Sequence, residues 1–159
     1  MKKIIILSLV TCLAFMQFSF AQEALTNKDI IAMHTAKISD DIIITKIVTV
    51  HCNFDLTASG LIALHISKIP VKVIKPMFTA TPPSDNIGND DVINLTNSKV
   101  PEEIIRFKIL SSPHNFDITP DGLIKLKTGK VAKDVMQDML ANPVQTKSVK
   151  PTLTQKLKN

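Results

Sequence analysis

The apolar residues of this chain recur in phase. A pattern that begins at Leu25 runs for 31 residues and restarts at Leu56, Ile87 and Ile118. Within each copy the sixth, seventh and ninth positions are apolar: Ile30, Ile31 and Met33 in the first, Leu123, Ile124 and Leu126 in the last. A second set follows at the fourteenth, eighteenth, nineteenth and twenty-third positions, as in Ile38, Ile42, Ile43 and Ile47. Spacings of four and five lay this set along one stripe of a helix, whereas a half-buried strand would alternate every second residue. The seventh position is isoleucine in all four copies (Ile31, Ile62, Ile93, Ile124) and is expected in the core. Self-similarity at a fixed period predicts an array of like supersecondary units.

Helix starts are legible as well. Thr26, Thr57 and Thr119 are good N-caps, and Gly88 is tolerated at the same place in the third copy. An apolar residue precedes each cap and another follows five positions later, as in Leu25 with Ile30 and Leu56 with Leu61. That is the spacing of a hydrophobic staple. The second helix repeats it with Ile38/Ile43, Ile69/Ile74, Val100/Ile105 and Val131/Met136. Asp40, Asp41, Glu102 and Glu103 fall in first turns, where the helix dipole favours acids.

Each copy therefore reads as a helical hairpin that cannot bury its stripe alone but can do so against a neighbour. The copies also alternate, since Asn53-Phe54-Asp55 recurs as Asn115-Phe116-Asp117 between the members of each pair. The expected fold is all-α, with four tandem 31-residue hairpins forming two four-helix units, residues 24–79 and 86–142. The Pro-rich stretch 80–85 reads as a linker, and the polar, basic segment 143–159 as a disordered tail.

The L-T-x-x-x-[LIV]-I-x-L start and the later K-[IV]-x-x-x-[VI]-[IM] run resemble tandem helical-hairpin repeat modules of exported bacterial proteins of unknown function. The resemblance covers residues 25–142 and rests on core and cap positions. It implies the fold and export, and it transfers no activity, cofactor or site.

Export has its own signal. Met1-Lys2-Lys3, a largely apolar run from Ile4 to Met16 and the small residues before Gln22 make a signal peptide with cleavage after Ala21. The run is broken by Ser8, Thr11 and Gln17 and is too short for a membrane span. The chain from Gln22 onward is expected in the periplasm or outside the cell, and Cys52 is then its single cysteine, without a disulfide partner. The formal charge of +5 includes Lys2 and Lys3. Lys147, Lys150, Lys156 and Lys158 in the tail account for the rest of the excess, so the helical body is close to neutral. A neutral body without Trp or Tyr offers neither the field nor the stacking platforms of a nucleic-acid binder.

Candidate chemistry is sparse. Lys37, Lys68, Lys99 and Lys130 hold the thirteenth position of every copy, the only polar identity to do so. A structural role puts each lysine at the end of a first helix, its ammonium near the last carbonyls. A binding role makes them a cationic row for an anionic polymer or acidic protein. His34, His51, His65 and His114 with Cys52 lack the paired spacing of a zinc site, so no metal or other cofactor is expected. Phe54 and Phe116 are expected to wedge between hairpins, and Gly60 and Gly122 to permit close helix approach. No nucleophile and base are arranged together, so the chain reads as a non-enzyme with a protein or peptide partner.

Overall fold

A computed structural model describes residues 23–142. The expected signal peptide, its cleavage site and the basic tail lie outside the described residues. Eight helices follow in order: α1 (Asn27–Thr35), α2 (Asp40–Thr49), α3 (Ala58–Ile66), α4 (Val71–Ala80), α5 (Asn89–Asn97), α6 (Glu102–Ser111), α7 (Pro120–Thr128) and α8 (Lys133–Ala141). The all-α expectation holds among the described residues, where extended structure is limited to two isolated bridges, Leu25 with Cys52 and Ile87 with His114.

The hairpins stack in two layers. First helices contact first helices (α1 on α3, α3 on α5, α5 on α7), and second helices do the same (α2 on α4, α4 on α6, α6 on α8). The stack passes straight through the Pro-rich stretch: α3 meets α5, α4 meets α6, and Phe78 packs edge-on to Phe107 at 5.2 Å. Residues 80–85 are a packed connector rather than a loose link. Ala80 closes α4, the Thr81 hydroxyl accepts a bond from the Phe54 amide at 3.3 Å, and Asp85 reaches Lys108.

The first-helix staples of the first three copies are in place, with Leu25, Ile30, Leu56, Leu61, Ile87 and Val92 all buried. In the fourth copy Ile118 is exposed and Leu123 half-buried, and Ile38 of the first copy is also exposed. A fully buried side chain of this size is worth roughly 1.5–3 kcal/mol, and Ile30, Leu61, Leu64, Val92 and Leu95 are completely enclosed. The seventh position corrects the expectation. Ile31, Ile62 and Ile93 are half-buried, and Ile124 is exposed. These isoleucines lie at the seam between copies rather than inside a hairpin. A Cβ added at Gly129 of the fourth copy would stand 2.8 Å from the Ile93 side chain of the third.

Each first helix ends in the same way. The amide at position thirteen bonds back to the carbonyl three residues before it, as in Lys37 to His34 at 2.9 Å. The next amide bonds back five, as in Ile38 to Met33 at 3.1 Å. This is a Schellman turn with its apolar contact between the ninth and fourteenth positions. The fourteenth residue thus closes the first helix and staples the start of the second.

Candidate functional site

The Schellman turn explains where the four lysines sit. Lys37, Lys68, Lys99 and Lys130 occupy its left-handed residue, with φ of 60°, 60°, 60° and 62°. Glycine is the usual choice there, because a Cβ in that region costs about 1 kcal/mol or more. All four side chains are exposed. Among the described residues none forms an ion pair, and no ammonium bonds a helix-end carbonyl. The expected contact between ammonium and last carbonyls is therefore not what fixes these residues; their backbone makes the turn, and the charge is left in solvent. As equivalent positions of a stack, they lie along its turn edge, and Lys37 and Lys68 border one shallow surface.

Several cations of the second-helix layer are tied to neighbouring copies. Lys72 meets Asp40 at 3.1 Å, Lys75 meets Glu103, and the Arg106 Nε meets Asp138 at 2.6 Å. That layer carries an apolar groove of about 610 Å³ between the C-terminal halves of α2 and α4. Val48, Val50 and Cys52 form one wall, and Pro76, Thr79 and Ala80 the other. Phe107 of α6 closes one side, with the Lys75 ammonium 6.0 Å from its ring centre. Leu110 extends the same face toward α6.

Lining residues here differ from copy to copy while the core repeats. Position twenty-one is Thr45, Pro76, Phe107 and Asp138 in turn, and position twenty-four is Val48, Thr79, Leu110 and Ala141. A recurring motif could not have pointed to this groove, because its chemistry lies in the positions that do not recur.

The remaining sequence candidates are structural. The Cys52 thiol is buried and donates to the Ile47 carbonyl at 3.3 Å, and burial pushes its pKa up, which keeps it a thiol rather than a nucleophile. His114, its counterpart in the third copy, is buried and stacked on Phe116 at 4.9 Å, with Nδ1 3.1 Å from the Ser112 carbonyl. Among the described residues no three His, Cys, Asp or Glu side chains cluster as a metal site.

Phe54 and Phe116 are buried as expected, and the aspartates beside them organise the following helix. Asp55 Oδ1 accepts from the Thr57 amide and hydroxyl at 3.0 and 2.7 Å; Asp117 does the same for Thr119. Their backbones are held by asparagines that the sequence reading passed over. Asn27 donates to the Asp55 carbonyl at 2.7 Å and accepts from its amide at 3.1 Å, and Asn89 pairs with Asp117 likewise. The available signal was asparagine at position three in odd copies only.

These features define an all-α array of tandem helical hairpins with one apolar groove and one cationic edge. Comparison with protein-family models, with curated proteins and with solved structures finds no match. Among the described residues no helix is long and apolar enough to cross a membrane.

Proposed function

We propose that this chain is an exported helical-repeat protein that acts as a protein-binding or scaffolding module in the bacterial envelope. The groove between α2 and α4 carries this reading. It is lined mainly by apolar side chains, and it takes its lining from non-recurring residues of three copies. Stacked hairpins present extended surfaces of this kind, and the occupant that fits is a short apolar peptide segment whose polar flank meets Lys75. Export is tested by intact mass of the native protein, which should begin at Gln22. The groove is tested by photo-crosslinking in the native envelope from Val48, with Ile66 as the control because it is exposed on a first helix, in the other layer. A discrete adduct from Val48 alone is expected; equal labelling from both positions, or none, would refute the assignment.

The lysine edge favours a second reading, a binder of an anionic envelope polymer. Four copies place a lysine where glycine would be cheaper, which indicates that the side chain is retained for something other than the turn. Lys99→Gly should therefore raise stability by about 0.5–1 kcal/mol while weakening binding to polyphosphate, measured by titration at rising salt. Unchanged polyphosphate binding in the variant with all four lysines replaced by glycine would remove this reading.

A further inference from the structure

Among the described residues, five of the eight large apolar side chains left in solvent lie at the two ends of the array. Ile38 and Ile42 belong to the first copy, and Ile118, Ile124 and Leu140 to the last. Each is the terminal version of a position that interior copies bury or half-bury. Ile42 is 61% exposed, whereas its counterparts Val73, Ile104 and Val135 are 0%, 0% and 1% exposed. Leu140 is 45% exposed, against 1%, 4% and 0% for Ile47, Phe78 and Ile109. Ile124 is 63% exposed where Ile31, Ile62 and Ile93 are half-buried.

The two faces correspond to the two sides of an internal junction, where the second helices and the first helices of successive copies meet. Ile93, at position seven, approaches Gly129, at position twelve of the following copy. The last copy offers Ile118, Ile124 and Leu140; the first copy offers Ala36, Ile38 and Ile42, all exposed. We infer that two molecules of this chain associate head to tail, the fourth hairpin of one stacking on the first hairpin of the next as a continuation of the array.

One charged pair fits this register. Asp40, at position sixteen of the first copy, pairs with Lys72, at position seventeen of the second. Across the intermolecular seam the same two positions are Lys133 and Asp41, opposite in sign again and both exposed.

The other occupant within this sequence is the segment 149–159, whose Pro151, Lys156, Leu157 and Lys158 fall in phase with Pro120, Lys125, Leu126 and Lys127. As a fifth first helix it would present Thr154 and Gln155 at the sixth and seventh positions. It would leave the Leu140 side of the face and the whole N-terminal face open. A second copy covers both faces at once.

The seam is heterologous and does not close on itself, so it predicts open-ended growth. Sedimentation velocity of the chain from Gln22 to Asn159, over a wide concentration range, should show a mass that climbs past the dimer without a plateau. Ile42→Glu and Ile124→Glu alter residues exposed in the single molecule, so both variants should keep the parent circular dichroism melt. Each alone should be monomeric. Mixed in equal amounts they should form a dimer and nothing larger, because one intact face of each remains. A monomer at every concentration, self-association of either variant, or a monomeric mixture would overturn the inference. A dimer lost in Ile124→Glu but kept in Ile42→Glu would indicate a symmetric tail-to-tail contact instead.

Discussion

Odd and even copies solve one problem with different atoms. The amide of each first-helix cap needs an acceptor. In the odd copies it comes from inside the helix, where Asp29 and Asp91 reach back to the amides of Thr26 and Gly88 at 2.9 Å each. In the even copies it comes from upstream, where Asp55 and Asp117 accept from Thr57 and Thr119 at 3.0 Å each. The third helical residue is then free of that task, and it is Gly60 or Gly122, whose amide donates to the cap threonine. Burial repeats with every copy, but polar wiring repeats with every second copy. A sequence period therefore measures packing more directly than it measures hydrogen bonding.

The largest expected effect lies at position twenty-two, where the even copies bury Met77 and Met139 and the third copy buries Lys108. The Lys108 ammonium is fully enclosed, 2.6 Å from a partly exposed Asp85 carboxylate. Removing one partner of a buried pair strands the other charge, whereas replacing the cation by an apolar side chain of similar volume does not. Asp85→Ala should cost about 2–3 kcal/mol, discounted from the fully buried case because Asp85 reaches solvent. Lys108→Met, which makes the third copy like the even ones, should be neutral or stabilising by about 1 kcal/mol. The double variant should recover most of the loss in urea denaturation. Asp85→Ala within about 0.5 kcal/mol of the parent would mean that the pair does not operate as drawn.

The glycines separate the two kinds of cap. A Cβ on Gly60 would lie 2.3 Å from the Asp55 carbonyl oxygen, and on Gly122 2.2 Å from that of Asp117. The close approach is by the preceding peptide, not by a neighbouring helix as the sequence suggested. Backbone must move to admit the methyl group, so Gly60→Ala should cost about 2–3 kcal/mol. Gly88→Ala, in an odd copy, meets its nearest atom at 3.9 Å and should stay within about 0.5 kcal/mol of the parent. Thermal melts of the two variants decide it, and equal losses would show that the odd and even caps are not distinct.

The sequence disclosed what is local and periodic. Staples, caps and the apolar stripe depend on residues within one hairpin, and each recurs often enough to be checked against its copies. It hid what a second copy decides. The Asn27 pairing is made with a peptide 28 residues away, and Lys108 is buried by a carboxylate that only one connector supplies. The Schellman turn was written in its apolar pair, Met33 with Ile38, but lysine stood where glycine would have announced it. The groove was invisible for the opposite reason, since its residues never repeat.

The smallest effect compares the two kinds of cap by pH. The Thr26 hydroxyl, and then its amide, hold the Asp29 carboxyl below the usual carboxylate range; the hydroxyl and amide of Thr119 do the same for Asp117. Both are depressed in the folded state, so the unfolded chain takes up protons first as pH falls. Their contribution is therefore complete above the ordinary value of 3.8 and is lost as pH drops through the lower folded values. Tm should be nearly flat from roughly pH 7 to 5 and fall more steeply below about 4. Asp29→Asn and Asp117→Asn should each lower Tm slightly at neutral pH and make the acid slope shallower, because each removes one proton-linked cap. Both carboxylates face solvent, so each change is small and is read from the slope of Tm against pH. If Asp117→Asn flattens the slope and Asp29→Asn does not, the upstream cap carries the acid sensitivity and the two solutions are energetically unequal.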